Sequence, residues 1–575
     1  AGILTALAAY WLGRELLAAW RRDAGRDEAP AGPWEYLPLV AALYLATSYW
    51  HVHFSRFGIR GVFTPLLGAL AFAAFWRAVN RRSLVWFAAS GAFLGLATHF
   101  YTASRFFPFF LAGFLAVQWL VAHVTGRRDR VILRQHLGGI VLLFAVAALV
   151  FAPLGVYFLQ HPGSFAQRAG EVAAFGGEGA WVRMGRAAAA NVLQFFLPGR
   201  GDAEQFYNLP GRAVFDPLTA ALALTGLALT VWRWRRSPAL FLALWFPALL
   251  LPSFLATDRW PTLPRVLGVI PGVYFFPAIG ALGVAAALLR WRWRGARVLA
   301  AGLIVLALGS HAALTYRDYF VTWGPSATTY DALEGDMTAA WRWLDEHPTE
   351  GHVYLSSDIY RHPTFMLLHE HATVQTYWEH TNESLSWFDA RSALPLPAQG
   401  RRSTYLISAA SPLTAEAQAW LAQWGREIDV VHAPDGRPSL MVIEAPAGAA
   451  AAAPGQPEEN LPAPVTVDDG LQLTGATVAE VDGRSILYLS WRTDGPNREG
   501  WQAYDLEIEA VGGDGSPRIT VPFEGMRPTE WVAGGRFITW HELEGASPGQ
   551  PGQLRLRLID RADSAPAPWH TIVLP

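Results

Sequence analysis

The chain has 575 residues, a formal net charge of −2 and no cysteine, and 52% of its residues are hydrophobic. The near-neutral charge gives no global basic field for nucleic acid, and the lack of cysteine excludes disulfides, zinc–thiolate centres and cysteine nucleophiles. Apolar runs fill the sequence up to about residue 315, and the remainder has the composition of a soluble protein.

The apolar runs predict a multi-pass α-helical membrane region. A helix that crosses about 30 Å of hydrocarbon needs about 20 apolar residues. The interiors of the runs are almost free of ionisable side chains, as the cost of burying charge in lipid requires. We therefore expect about ten transmembrane helices. They lie at about 1–19, 34–50, 61–79, 84–101, 106–124, 137–158, 217–232, 238–256, 265–289 and 297–315.

Arginines in the loops predict which side of the membrane each loop faces. Seventeen lie on one side and five on the other. The seventeen are Arg21, Arg22, Arg26, Arg77, Arg81, Arg82, Arg127, Arg128, Arg130, Arg134, Arg233, Arg235, Arg236, Arg290, Arg292, Arg294 and Arg297, and the five are Arg56, Arg60, Arg105, Arg259 and Arg265. Because cytoplasmic loops are enriched in basic residues, the arginine-rich side is predicted to be cytoplasmic. In a plasma membrane, the 159–216 loop and everything after Tyr316 would then be extracytoplasmic.

The soluble part predicts two further domains. Helix and strand patterns alternate over 316–445, which favours a small α/β domain, and no glycine-rich phosphate loop follows its strands. Residues 446–464 are rich in alanine and proline and are typical of a linker. Short alternating strands separated by turns over 465–575 predict a β-sandwich.

The outward loop at 49–60 carries the first candidate site residues, His51, His53 and Arg56. An arginine at the outer interface can bind a lipid phosphate bidentately, although it can equally contact phospholipid headgroups or brace a loop. The two histidines could suit a metal, but no carboxylate lies near them in sequence, so we predict no metal site. A divalent cofactor therefore has no support.

Three more outward loops carry polar residues. The loop after residue 95 has His99, Tyr101 and Arg105, which together with the first loop makes a phosphate-binding cleft more plausible. The long 159–216 loop exceeds the length of ordinary connections and could act as a lid over a polar substrate. The substrate candidates on it and on the next outward loop are Asp202, Glu204, Tyr207, Asn208, Arg212, Asp258 and Arg259.

With these segments placed, the first 315 residues resemble the bacterial GT-C membrane glycosyltransferases. The resemblance is to the glycosyltransferase family 39-like group, which contains the protein O-mannosyltransferases and the lipid A aminoarabinose transferases. It depends on WHVHFSRFGIR at 50–60, GLATHFYTASRFFP at 95–108 and FYNLPGRAVFDPL at 206–218. The topology and the outward C-terminal region agree with it.

The resemblance implies transfer of a sugar, with inversion, from a polyprenyl-phosphate donor to a lipid, polysaccharide or protein acceptor at the outer face. Such chemistry needs a general base and cationic groups that stabilise the departing phosphate. Arg56 and Arg105 match positions where the family keeps cationic or polar donor-side residues. The family's main catalytic aspartate lies in its first outward loop, and we expect that this chain begins after that loop, as a fragment.

Two other functions fit the same sequence. A transporter or flippase for a lipid-linked glycan would place ionisable residues near the membrane midplane within internal repeats, whereas the polar residues here lie at outer helix ends. A non-catalytic membrane-anchored assembly protein that presents the β-sandwich is the other alternative.

Overall fold

The structure is a computed structural model, and its described residues form two compact units, Ala1–Pro325 and Ser326–Pro575. Each unit is described by itself below. The described residues are 1–24, 32–126, 131–164, 179–255, 259–291, 294–371, 384–397, 401–447, 460–468, 470–481, 483–494, 504–511, 518–543, 553–560 and 568–573. The predicted boundary after residue 315 falls ten residues before the boundary between the units, and the predicted 446–464 linker lies largely outside the described residues.

Helices are the regular secondary structure of the first unit in its described residues. Its α-helices are α1 (Gly2–Ala24), α2 (Leu37–Ala46), α3 (Tyr49–Arg56), α4 (Phe63–Arg81), α5 (Leu84–Phe100), α6 (Phe106–Val124), α7 (Ile132–Gln135), α8 (Leu137–Gln160), α9 (Ala180–Leu193), α10 (Pro217–Trp232), α11 (Ser237–Phe254), α12 (Phe275–Arg290) and α13 (Ala296–Tyr316). Short 3-10 turns at Gly32–Tyr36, Arg60–Val62, Thr102–Arg105, Pro264–Val269 and Gly272–Tyr274 connect them, and a π-helix at Arg317–Trp323 extends the last one.

Six helices among the described residues are long and apolar enough to cross a membrane. They are Arg60–Arg81, Thr102–Val124, Leu137–Gln160, Ser237–Phe254, Gly272–Arg290 and Ala296–Trp323. The prediction of a multi-pass helical membrane region is confirmed at this level of length and composition, but the predicted count of about ten is not.

Four of the ten predicted spans are not among these six helices, and the reasons differ. Helix α1 carries Arg14 and Glu15 at mid-length, which reduces its hydropathy. The run at 34–50 is divided, because α2 ends at Ala46 and α3 begins at Tyr49. The runs at 84–101 and 217–232 form apolar helices of only 17 and 16 residues.

Small residues let two pairs of helices approach closely. A Cβ atom added to Gly226 of α10 would lie 1.8 Å from the carbonyl oxygen of Phe276, and one added to Gly280 of α12 would lie 1.9 Å from that of Leu222. Gly91 and Gly95 of α5 form a G-x-x-x-G pair. A Cβ atom added to either would lie 2.2 or 2.6 Å, respectively, from a backbone carbonyl oxygen of α8. Such contacts are typical of helix packing in membranes, where dispersion rather than water exclusion drives association.

Several arginine-rich helix ends lie together at one end of this unit. Arg22 at the end of α1 donates to the side chain of Asn80 on α4 at 3.0 Å, and Arg236 before α11 donates to the carbonyl oxygen of Asp23. Glu15 accepts from Arg77 and Asn80, both at 2.9 Å, so this buried carboxylate is satisfied. The sidedness of these loops in a membrane remains a prediction.

The second unit is rich in β-sheet. Its helices are α14 (Ala327–Ala332), α15 (Gly335–Glu346), α16 (Pro363–His369) and α17 (Ala415–Trp424). Its strands are β1 (His352–Ser356), β2 (Leu385–Phe388), β3 (Ala393–Pro395), β4 (Ser403–Ser408), β5 (Arg426–His432), β6 (Pro438–Ala445), β7 (Val465–Asp468), β8 (Leu471–Val481), β9 (Arg484–Thr493), β10 (Tyr504–Val511), β11 (Arg518–Phe523), β12 (Arg536–Glu542), β13 (Gln553–Asp560) and β14 (His570–Val573).

These strands form three sheets. The first has the order β2-β1-β4-β6-β5, with β1 parallel to β2 and β4 and the remaining pairs antiparallel. The second has the order β11-β10-β13-β14 and the third β3-β12-β9-β8-β7, all antiparallel. Strand β3 lies in the predicted α/β region but pairs with β12 of the predicted sandwich, so one hydrophobic core extends across both regions.

A buried carboxylate also joins the two regions of the second unit. Glu530, which is 4% exposed, accepts from the Tyr360 hydroxyl at 2.7 Å and from the backbone N–H of Trp387 at 3.0 Å. Arg361 approaches the same carboxylate at 3.4 Å. Because each oxygen is used, the negative charge is compensated within the protein.

We expect Glu530→Ala to reduce the free energy of unfolding by about 3 kcal/mol, because it removes the buried carboxylate that pairs with the Arg361 guanidinium and accepts from the Tyr360 hydroxyl. Glu542→Ala is the matched control, since among the described residues Glu542 forms one exposed ion pair, with Arg484 at 3.3 Å, and its loss should change stability by about 1 kcal/mol or less. Thermal and denaturant unfolding of the purified variants measure both. Equal stability of the two variants would contradict the role given to Glu530.

Candidate functional site

Four predicted outward segments meet at one end of the first unit. The Tyr49 hydroxyl of α3 accepts from the backbone N–H of Leu209 at 2.9 Å. Trp323 at the end of the π-helix donates to the carbonyl oxygen of Gln205 at 2.9 Å. The backbone N–H of Leu263 donates to Asp202 at 2.9 Å. The segments 49–57, 200–216, 259–269 and 317–323 therefore form one surface, here called the loop end.

Asp202 and Asn208 give the 200–212 loop its shape. The two carboxylate oxygens of Asp202 accept from the backbone N–H groups of Glu204 and Leu263, at 3.0 and 2.9 Å. Asn208 donates to the carbonyl oxygens of Asp202 and Arg212, both at 2.9 Å. Burial raises the pKa of Asp202, and the two backbone N–H groups oppose that rise. Both side chains are buried, and the contacts described here are within the protein. Their contact with substrate stays a prediction.

Arg212 is held in a buried ion pair. Its Nε donates to Asp318 at 2.8 Å, the two side chains are 9% and 12% exposed, and the guanidinium stacks over the Tyr49 ring at 4.3 Å. Arg317 donates to the other oxygen of Asp318 at 2.7 Å. Arg212 therefore fixes the end of the loop against the last helix.

Arg56 and Arg259 are two of the exposed cations of the loop end. The guanidinium of Arg56 lies 5.2 Å from the Phe320 ring centre and 5.9 Å from that of Tyr319. Among the described residues it has no ion pair, since the carboxylates of the loop end pair elsewhere. Arg259 lies 5.4 Å from the Tyr207 ring and pairs with Glu204 at 2.6 Å, with both side chains about two-fifths exposed.

An aromatic cluster lies between these two cations. It consists of Phe54, Phe57, Phe206, Tyr207, Tyr319 and Trp323. His53 is buried in its middle, 4.9 Å from the Trp323 ring and 5.4 Å from that of Phe57. His51 is also buried, with Nε2 3.1 Å from the carbonyl oxygen of Gly2. Burial lowers the pKa of both histidines to about 4, so both rings are neutral at pH 7.

The candidate residues of the outward loop after residue 95 lie beside the segment that follows the 49–60 loop. The ring of Tyr101 is next to Gly61, and the hydroxyls of Thr64 and Ser104 are 2.9 Å apart. Arg105 is half-buried and stacks on Phe158 at 4.9 Å, whereas Arg56 stacks on the 319–320 segment. His99 is exposed on α5, and its Nε2 lies 3.0 Å from the carbonyl oxygen of Val150. Asp258 lies outside the described residues.

One buried polar cluster was missed by the sequence analysis. Asp216 caps α10 by accepting from the backbone N–H of Thr219 at 3.0 Å, and its other oxygen accepts from the Thr219 hydroxyl at 2.6 Å. That second oxygen also lies 2.9 Å from Nδ1 of His311 on α13. Two signals were available: Asp-Pro is a typical helix start, and His311 is an ionisable residue inside an apolar helix.

Comparisons with known proteins give little further information. No family model and no curated protein matches the chain. Among solved structures it is similar to an archaeal oligosaccharyltransferase, AglB from Archaeoglobus fulgidus, solved in complex with an inhibitory peptide and a dolichol-phosphate. The identity is 11% and the TM-score 0.37, with 100% of this chain and 84% of that chain covered. A likeness of this size carries no argument about activity.

We expect acid to destabilise the first unit through His51 and His53. Because their folded-state pKa values lie near 4, below the ordinary value of about 6.5, the unfolded chain binds more protons between those limits. Stability is therefore fully present above about pH 6.5 and falls as the pH approaches 4, by about 3 kcal/mol per histidine. The unfolding midpoint in detergent from pH 7.5 to 4.5 measures this.

His53→Phe should remove about half of that pH dependence, because His51 still titrates. The control is His161→Phe, since His161 is exposed, and it should keep the wild-type slope. A His53→Phe slope equal to that of the wild type would contradict the assignment.

Asp216→Ala should lower the unfolding free energy by about 2–3 kcal/mol, because it removes a helix cap and leaves buried His311 and Thr219 without an acceptor. Asp216→Asn, which keeps a cap acceptor, should cost less. Thermal unfolding in detergent tests the order, and two equally destabilised variants would show that the cap does not contribute.

Proposed function

We propose that the chain functions as an integral membrane glycosyltransferase of GT-C type, which transfers a sugar from a polyprenyl-phosphate donor to an acceptor at the outer face of the membrane. The observation that carries the proposal is the exposed Arg56 guanidinium, stacked on aromatic rings at one end of a bundle of apolar helices. The sequence resemblance supplies the reaction class.

A polyprenyl-phosphate donor has two parts that need different surroundings. Its chain is hydrocarbon and fits against apolar helices, whereas its phosphate carries negative charge and fits against guanidinium groups. Arg56 supplies such a group without a competing carboxylate among the described residues, and the positions of Arg56 and Arg105 also match the family's donor side. The loop end therefore combines both requirements.

The reaction needs charge stabilisation at the leaving group. An acceptor hydroxyl attacks the anomeric carbon, the bond from that carbon to the phosphate oxygen breaks, and its electron pair stays on the polyprenyl phosphate. A general base takes the hydroxyl proton, and cations stabilise the charge that develops on the phosphate. We assign the latter role to Arg56 and Arg105 and leave the base unassigned.

The acidic and aromatic residues of the loop end suit the sugar. Glu204 is two-fifths exposed and pairs with exposed Arg259, and Tyr207 lies below that arginine. A carboxylate can accept from sugar hydroxyls and a ring can pack against a sugar face. We propose that Glu204, Tyr207 and Arg259 contact the sugar or the acceptor, and that Asp202, Asn208 and Arg212 position the loop that carries them.

Transport of a lipid-linked glycan is the second candidate, and the Asp216–His311 pair favours it. Ionisable residues within transmembrane helices often mark a transport pathway. In this chain both oxygens of Asp216 are occupied within the protein, and the capping role accounts for its position. Sugar transfer by membranes that contain the protein separates the two functions, since a transporter forms no new glycosidic bond.

We expect Arg56→Ala to weaken binding of a polyprenyl-phosphate sugar by about 10-fold or more, because a charge-assisted hydrogen bond contributes about 1.5–3 kcal/mol. Arg60→Ala is the matched control, since Arg60 is an exposed arginine of the same segment, and it should bind as the wild type does. Native mass spectrometry of the purified protein with the donor measures the affinity.

Arg105→Ala should weaken donor binding in the same direction. Unchanged binding in both single variants, or an equal loss in Arg60→Ala, would contradict the phosphate assignment. Retained donor binding with no sugar transfer in membranes would instead favour the transporter.

A further inference from the structure

The arginine-rich end of the first unit contains an apolar pocket that the proposed function does not use. It lies between α1, α2, α10, α11 and α12, and side chains that line it include Leu16, Leu37, Leu242 and Ile279. Ten of its twelve lining residues are apolar, and the other two are Thr230 and Arg233. The Thr230 hydroxyl donates to the carbonyl oxygen of Gly226 at 2.7 Å, so it is already satisfied within its helix.

Arg233 is the charged group of this pocket. Its guanidinium lies 5.0 Å from the ring centre of Trp232 and 5.9 Å from those of Trp20 and Trp34. Its hydrogen bond to the carbonyl oxygen of Leu229 is long, at 3.4 Å, and it forms no ion pair among the described residues. A half-buried guanidinium against rings still has donors to offer an anion.

The neighbouring charges increase the preference for an anion. Arg290 at the end of α12 is exposed and repels Arg233 electrostatically. Glu35, which is next to Trp34 in the chain, is already paired with Arg21 at 2.9 Å. The mouth of the pocket therefore has uncompensated positive charge, and the described residues leave it no free carboxylate for the ammonium of a zwitterionic headgroup.

The combination matches the chemistry of a membrane lipid. Tryptophan and arginine at helix ends are typical of the headgroup depth of a bilayer, and the apolar walls suit a hydrocarbon chain. We propose that this pocket binds one acyl chain of an anionic phospholipid from the arginine-rich leaflet, with the lipid phosphate on Arg233. The site lies at the opposite helix ends from the loop end, so it is independent of the proposed donor site.

Native mass spectrometry of the whole chain in detergent tests the proposal. The titrants are dioleoyl phosphatidylglycerol and dioleoyl phosphatidylcholine, whose chains are identical. The wild type should bind its first phosphatidylglycerol at least fivefold more tightly than phosphatidylcholine. Arg233→Gln should weaken phosphatidylglycerol binding about tenfold and leave phosphatidylcholine binding unchanged, as expected for about 1.4 kcal/mol from one charge-assisted contact.

Two further variants make the result specific. Arg235→Gln removes an exposed arginine two residues away that stacks on Trp234 at 5.1 Å, and it should leave phosphatidylglycerol binding unchanged. Leu229→Trp narrows the pocket without changing charge and should weaken binding of both lipids. Monodisperse elution and a wild-type melting temperature establish that each variant is folded, and if Arg233→Gln fails this check, Leu229→Trp decides.

Three results would overturn the proposal. The first is unchanged phosphatidylglycerol binding in folded Arg233→Gln. If Arg233→Gln does not fold, the equivalent result is unchanged phosphatidylglycerol binding in Leu229→Trp. The second is an equal loss in Arg235→Gln, which would indicate a general surface effect. The third is decaprenyl phosphate that displaces phosphatidylglycerol from the wild type and loses its own binding in Leu229→Trp, which would make the pocket a polyprenyl site instead.

Discussion

The carboxylate of Asp216 holds together the part of the first unit on which the loop end depends. It caps α10 through the N–H of Thr219 and contacts His311 of α13 at 2.9 Å. Four residues before it, Arg212 pairs with Asp318, seven residues beyond His311. The Asp216–His311 and Arg212–Asp318 contacts therefore fasten the end of the long loop to the last helix and its π-helical extension. Because α13 continues into the π-helix, the same contacts fix Tyr319 and Phe320 beneath Arg56.

The surroundings make these contacts effective. His311 is fully buried and the Arg212–Asp318 pair is about nine-tenths buried, so water competes little for their hydrogen bonds. If a buried pair is separated, each side chain keeps the full cost of its desolvation. The pairs therefore disfavour other arrangements of the loop and the last helix. The exposed cations of the loop end rest on a support that is already satisfied, with Arg259 paired to Glu204 and Arg56 without an ion pair among the described residues.

The sequence predicted the features that are local in origin. Hydrocarbon length sets the length of an apolar helix, and so the runs at 61–79, 106–124 and 137–158 correspond closely to observed helices. Helix and strand patterns in the second unit are local as well, and the predicted alternation over 316–445 includes the observed helix α17. The pairing of β3 with β12 joins residues about 140 positions apart, and nothing in the short run Ala393–Pro395 specifies that partner.

From the sequence it was harder to separate residues that face substrate from residues that hold a loop in place, because both roles depend on partners that are distant in the chain. Asp202 accepts from Leu263, 61 residues away, and no pattern around Asp202 distinguishes such a carboxylate from one that faces substrate. The arginines pose the same problem, since Arg77, Arg212 and Arg259 each stack on a ring and also pair with a carboxylate.

Arg56 and Arg233 stack on rings with no ion pair among the described residues, and they lie at opposite ends of the helices. In both proposals, the arginine that we assign to a phosphate lies against aromatic rings and has no acid paired with it among the described residues. A membrane offers lipid phosphates at both surfaces, so the same charge argument underlies the proposed donor site at one end and the proposed lipid site at the other.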